Sequence, residues 1–299
     1  MKNDIFNMNR FGRYFKTDLN AAISNFGLSL LIMATMDIVI DVFAGLMSLI
    51  TTGQWHGVNE SVRLIFMVIF FAATIISAPS KIYGHITEKK AGTAYLMLPA
   101  SRLEKYLSML LISCIIVPVV FIIVYLAVDQ LVTLADPSLS GSIMFLMSDL
   151  GEKLSQVYLN APSDLPMEIQ SIITGSEILY NPVLYIDDII QSAAIFLLGA
   201  LLFKKSKIAK TIGCLVAISM VASLITTPIF VSGIQNNFEQ LEQLAMQNPD
   251  INVIEIFKET FPGFFWALNH IALTDTISDT LVNAALLIGV WFRLKKIQH

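Results

Sequence analysis

The sequence predicts an all-α, polytopic integral membrane protein with six membrane-spanning helices. Of its 299 residues, 55% are hydrophobic and 14% charged, and the mean hydropathy is +0.69, a balance rare among soluble globular chains. The apolar residues are collected into blocks of about twenty or more, enough to cross roughly 30 Å of hydrocarbon at 1.5 Å per residue. The basic residues alternate between sparse and dense connecting segments, as the positive-inside rule requires.

The blocks fall at about 24–50, 62–80, 103–133, 183–203, 208–231 and 274–293. In lipid every backbone amide must be satisfied internally, so blocks of this length are helices. Barrel strands would be about ten residues long with alternating polarity, and an outer-membrane barrel is excluded. The first block follows more than twenty residues of charged sequence, is too long for a signal-peptide core and has no small-residue cleavage site, so it is expected to remain as a span.

Orientation follows from the nineteen Lys and Arg residues. One face collects Lys2, Arg10, Arg13 and Lys16, then Lys81, Lys89, Lys90, Arg102 and Lys105, then Lys204, Lys205, Lys207 and Lys210, and finally Arg293, Lys295 and Lys296. That face is the cytoplasmic one, with both termini on it. Lys153 and Lys258 alone fall in the opposite loops, where acidic residues such as Asp136, Asp149, Glu239 and Glu255 gather, and Arg63 starts the second span. The net charge of −4 thus hides two oppositely charged faces, and nucleic-acid binding gains no support. A plasma membrane, the inner one in a bacterium, is the expected location.

Residues 1–22 form a cytoplasmic amphipathic unit ahead of the span domain at 23–299. Ile5, Met8, Phe11, Phe15 and Leu19 share one helical face, with Arg10, Arg13 and Thr17 opposite. Such a helix lies flat at the interface, its basic side toward anionic headgroups, before the chain turns into the first span. A plain topogenic basic tail is the alternative.

The loop at 81–102 is compact and punctuated. Pro79 is expected to end the second span, Gly92 to close a short helix in the left-handed conformation, and Pro99 to stop the apolar turn that follows. Ser101 and Glu104 fit a capping box at the start of the third span. A rigid surface helix of this kind would let a soluble partner push on the spans; a solvated connector is the other reading.

Charges inside spans are costly and therefore informative. Asp37 and Asp41 share a face of the first span, where they either line a polar path or subunit interface, or Asp41 pairs with Arg63 near the outer surface. Asp129, Asp187 and Asp188 are expected in the headgroup zone. Pro118 and Pro228 can kink their helices. Cys114 and Cys214 fall in apolar helices and read as small buried hydrophobes. The outer segments 134–182 and 232–273 carry apolar residues at helical spacing, and short helices over the outer mouth are expected there. Phe261, Phe264, Phe265 and Trp266 read as an interfacial belt.

Enzymatic readings fail on residue supply. None of His56, His85, His270 and His299 has a partner at zinc-ligand spacing within a span, and Ser140-Gly141-Ser142 lacks a base. Gly199 to Ser206 carries Lys204 where a phosphate loop needs its second glycine.

In pattern, the chain resembles the permease subunits of ABC-2 type ABC transporters. Arg10 to Leu19 is similar to that family's amphipathic connecting helix and Tyr83 to Ala94 to its coupling helix. Gly92-Thr93, then Leu96 to Ser101 with its proline, then Glu104-Lys105, resembles its approach to span three. The likeness covers about residues 8–130. It implies an exporter whose ATP is bound and hydrolysed on a separate ATPase subunit, with no cofactor in this chain and a second permease copy or a homologue alongside in the bilayer. Tyr83, His85, Glu88, Lys89, Lys90 and Gly92 would then form the ATPase-coupling loop, Ser101 and Glu104 the cap of span three, and Asp37, Asp41 and Arg63 the intramembrane polar candidates. A membrane scaffold or sensor that transports nothing is the rival reading.

Overall fold

The computed structural model describes the backbone of residues 6–88, 92, 93, 95, 97–136, 138, 139, 141–149, 182–247 and 271–297. It describes the side chains of the same residues except 182–185, 229–247, 271–277 and 297. Among them every regular element is helical. Four helical stretches are long and apolar enough to cross a membrane: Met8–Thr52, Glu60–Thr87, Arg102–Ala135 and Lys207–Pro228. Lys89, Lys90, His270, His299, the aromatic cluster at 261–266 and most of both outer segments lie outside the described residues.

The first stretch begins with α1 (Met8–Ala22), capped by Asn7, whose side chain accepts from the amides of Asn9 and Arg10. No non-helical residue separates α1 from the first span. A π turn at Ile23–Gly27 leads directly into α2 (Leu28–Ala34), so the expected turn between connecting helix and span is absent. The interruption comes later, at Thr35. Its backbone leaves helical geometry (φ −101°, ψ 4°), and its hydroxyl bonds back to the carbonyls of Leu31 and Ile32, a competition that bends helices. Then α3 (Met36–Thr52) runs to Gly53, whose φ of 72° only glycine adopts without strain.

Asn59 caps α4 (Glu60–Tyr83). Pro79 does not end this helix, as the sequence suggests it should. It removes one backbone donor, but the residues after it keep helical geometry through Tyr83 and tighten into a 3-10 turn at Gly84–Thr87. The capping box at Ser101 opens α5 (Arg102–Leu110) as the spacing predicts. A π turn at Leu111–Ile116 precedes α6 (Val117–Ala135), and Pro118 falls on the first turn after it, where its missing donor is least costly. The last described helices are α7 (Pro182–Leu202), α8 (Lys207–Gln247), with Pro228 inside it, and α9 (Ile271–Ile297).

Helix α7 packs against α4 and α9 and is the centre of the bundle. Its Ala193, Ala194, Leu197, Ala200 and Leu201 are fully buried, small residues alternating with leucines so that neighbouring backbones approach closely. Gly199 takes this furthest, because a Cβ there would collide with the Thr211 side chain of α8. One apolar core gathers around Phe26, Ile82, Tyr83, Met109 and Leu197, and a second around Ala34, Phe121 and Tyr125. Large apolar side chains such as Val39, Phe43, Ile65, Ile123 and Leu224 remain exposed on the helix flanks, the surface a bilayer covers.

Candidate functional site

At the end of the bundle where α4 and α5 meet the 84–101 loop, α1 is bolted to the bundle rather than resting on it. Glu104, fully buried, receives Nε of Arg10 at 2.8 Å, Nη2 at 2.8 Å and the Asn7 amide at 2.9 Å, while closing its capping box with Ser101. Two helical turns on, Asp18 Oδ2 accepts from the Tyr83 hydroxyl at 3.0 Å and the Ser108 hydroxyl at 2.5 Å. Thus α1, α4 and α5 are joined by charge-assisted bonds, which are roughly twice as strong as neutral ones.

The loop after α4 folds onto the same centre. Tyr95 is buried, its carbonyl accepts from Lys105 Nζ at 2.9 Å, and its ring takes the ammonium 5.1 Å from the centroid and the edge of His85 at 6.4 Å. Burial pushes the Tyr95 phenol well above its usual pKa. Lys207, from the start of α8, donates to the Gly84 carbonyl, and the Thr87 hydroxyl reaches the Phe203 carbonyl at the end of α7.

Of the residues assigned to a coupling loop, Glu88 is exposed and His85 half-buried. Tyr83 and Gly92 are buried. The left-handed conformation anticipated at Gly92 is also corrected. Gly92 is helical, its amide donates to the Glu88 carbonyl at 2.8 Å, and glycine is needed because a Cβ would strike the Ile86 carbonyl.

Toward the opposite end of the first three membrane-crossing stretches lies a polar cluster in which Arg63, Asp37 and Asp129 are each 0% exposed. Arg63 Nη1 is 2.6 Å from Asp129 Oδ1 and 3.9 Å from Asp37 Oδ2. Thr133 Oγ1 lies 3.2 Å from the same nitrogen, and Nη2 donates to the Gly141 carbonyl. Asp129 also accepts from the Ile143 amide at 2.7 Å, and the Tyr125 hydroxyl bridges Asp37 Oδ1 at 3.4 Å and the Arg63 carbonyl at 3.3 Å.

Two expectations are corrected here. Arg63 pairs with Asp129 and Asp37, not with Asp41, and Asp129 sits in this buried cluster rather than among headgroups. The signal was present in the sequence, since Tyr125 and Asp129 stand four residues apart and so share a helix face. Asp41 instead accepts from the Val58 amide at 3.1 Å. Beside it, Asp136 takes the Trp55 indole N–H at 2.7 Å and the Ser138 amide at 2.8 Å. Burial alone would raise the Asp136 pKa, but the bonds from Ser138 and Trp55, with His56 nearby, hold it below the usual carboxylate value. Gly45 makes room for the Trp55 ring, which lies where a Cβ would be.

Among the described residues no three His, Cys, Asp or Glu side chains converge as metal ligands, and Cys114 and Cys214 are unpaired with each other. Both arrangements hold elements together: one braces the loop after α4 to four helical elements, the other pins the first three membrane-crossing stretches through one guanidinium. Comparison with protein-family models, curated proteins and solved structures finds no match to this chain.

Proposed function

We propose that this chain is the membrane-spanning permease subunit of an ATP-driven ABC exporter of the ABC-2 type. In this reading it has six spans, both termini are cytoplasmic, and it works in a plasma membrane beside a second permease subunit. ATP is bound and hydrolysed on a separate ATPase chain that docks at residues 81–102. The observation that carries the reading is the bracing of this loop. Tyr83, Gly84, Thr87 and Tyr95 are tied to Asp18, Lys207, Phe203 and Lys105, on α1, α8, the end of α7 and α5. A solvated connector has no need of such ties, whereas force from a soluble partner passes only through packed elements.

In mechanism, closure of the ATPase subunits pushes on the loop near Glu88. The push enters α4 through Gly84, α5 through Lys105 and α1 through Asp18. The helices move as rigid bodies over packed interfaces, and a path opens toward the outside. The intramembrane cluster holds spans one, two and three in fixed register during that movement.

The test is affinity purification in mild detergent, wild type against a Glu88→Lys, Lys89→Glu, Lys90→Glu variant, followed by mass spectrometry and an ATPase assay. Recovery of a nucleotide-hydrolysing subunit with wild type alone supports the reading. Its absence from wild type, with crosslinking also negative, would replace it by the scaffold or sensor alternative.

A further inference from the structure

Between α1 and the Leu98-Pro99 turn lies a cavity of about 510 Å³. We propose that it seats a phosphate ester or phosphate anion, supplied by an anionic phospholipid headgroup of the cytoplasmic leaflet or by free inorganic phosphate. The inference does not depend on the transporter reading.

One wall is the α1 face bearing Arg10, Arg13, Tyr14 and Thr17, with Asn7 and Asn9 at its N-terminal end. These positions recur at three and four residues, so they form one stripe along the helix. The charge of Arg10 is matched by Glu104, whereas Arg13 is exposed and makes no ion pair among the described residues. Arg13 therefore supplies the uncompensated positive charge. Asn7 Oδ1 is used on the helix amides, which leaves its Nδ2 as a neutral donor beside Asn9.

The surroundings point to a lipid source. Phe6, Met8 and Met97, chain neighbours of the lining residues, are 42%, 71% and 81% exposed. A basic hollow on a helix whose opposite face is apolar matches the headgroup boundary, where the basic side meets phosphate and the apolar side, with its exposed Met8, enters the acyl region. The cavity lies on the face that carries most of the basic residues. An occupant touching both walls would link α1 to the Leu98-Pro99 turn, beside the bonds that already join α1 to α5.

The test uses the purified full-length chain in non-ionic detergent. Native mass spectrometry follows titration with dioctanoyl phosphatidylglycerol, dioctanoyl phosphatidylcholine or inorganic phosphate. We expect wild type to retain phosphatidylglycerol roughly tenfold more tightly than phosphatidylcholine, whose choline cation offsets its phosphate and is repelled by the uncompensated charge of Arg13. Arg13→Gln should abolish that preference and Arg13→Lys keep part of it. Phosphatidylglycerol that millimolar phosphate fails to displace assigns a lipid site. Phosphate that binds and displaces it, with the same dependence on Arg13, assigns a free phosphate site. If Arg13→Gln lowers the melting temperature, Asn9→Ala takes its place, with a loss of about threefold expected. Equal retention of the two lipids, or a preference unchanged in whichever variant is used, overturns the proposal.

Discussion

Replacing Arg63 by Met should unsettle the bundle more than any other single change in the polar cluster. The substitution keeps most of the side chain's apolar volume but leaves Asp37 and Asp129, both fully buried, with no cation within ion-pair distance among the described residues. Breaking a buried pair from one side costs about 3–5 kcal/mol, because the remaining charge is stranded in low dielectric. The two contacts are not equal. At an effective dielectric of about 20, contacts at the observed 2.6 and 3.9 Å are worth roughly 6 and 4 kcal/mol before desolvation. Asp37 Oδ2 also has no hydrogen-bond partner, and two carboxylates share one guanidinium. Asp129→Asn should therefore cost about 2 kcal/mol and Asp37→Asn less than about 1 kcal/mol, since the latter removes surplus negative charge. The assay is reversible unfolding in mixed detergent micelles, followed by circular dichroism. An Arg63→Met loss below about 1 kcal/mol, or an Asp37→Asn loss as large as that of Asp129→Asn, would refute the reasoning.

The clamp between Arg10 and Glu104 should respond more mildly. Glu104→Gln loses the charge facing Arg10 and is expected to cost about 1–2 kcal/mol, the half-exposed Arg10 limiting the effect. Ser101→Ala should cost about 1 kcal/mol through the lost cap, and limited proteolysis after Arg10 and Arg13 should quicken in both variants. Asp136 predicts an acid sensitivity. Its folded pKa is depressed, so its contribution is present above the unfolded value near 3.9 and is lost as pH falls through the folded one. Melting temperatures measured down the acid range should therefore fall less steeply in Asp136→Asn than in wild type, and parallel curves would count against it.

Much of the architecture was legible because its causes are local. The apolar blocks and the Ser101–Glu104 box each depend on a few neighbouring residues. Pro79 and Gly92 were misread because a proline or glycine signals a constraint without saying which one applies. At Pro79 the helix tolerates the missing donor, and at Gly92 the constraint is the Ile86 carbonyl, brought near only by the folded loop. Within the polar cluster, Asp37 and Arg63 were identifiable as charges in apolar blocks, but their pairing was not, since a guanidinium chooses its partner by three-dimensional distance. Asp18 escaped notice altogether. Nothing in the order of residues announces that Tyr83 and Ser108, 65 and 90 positions away, will meet it.

The π turn at Ile23–Gly27 makes the spacing of the first helix a quantity that must be counted in whole residues. Inward positions before and after it, Tyr14, Asp18, Ala22, Phe26, Leu30 and Ala34, recur every fourth residue, and a helix of 3.6 residues per turn carries such a row steadily around its axis. The wider turn takes back part of that rotation by accommodating one residue more than an α turn would. Deleting any one residue there would let the backbone close into a regular α-helix with every hydrogen bond intact. It would also swing one half against the other by about 100°, so that Asp18 leaves Tyr83 and Ser108 or Asp37 leaves Arg63. Here the number of residues in the chain is specified as firmly as their identity.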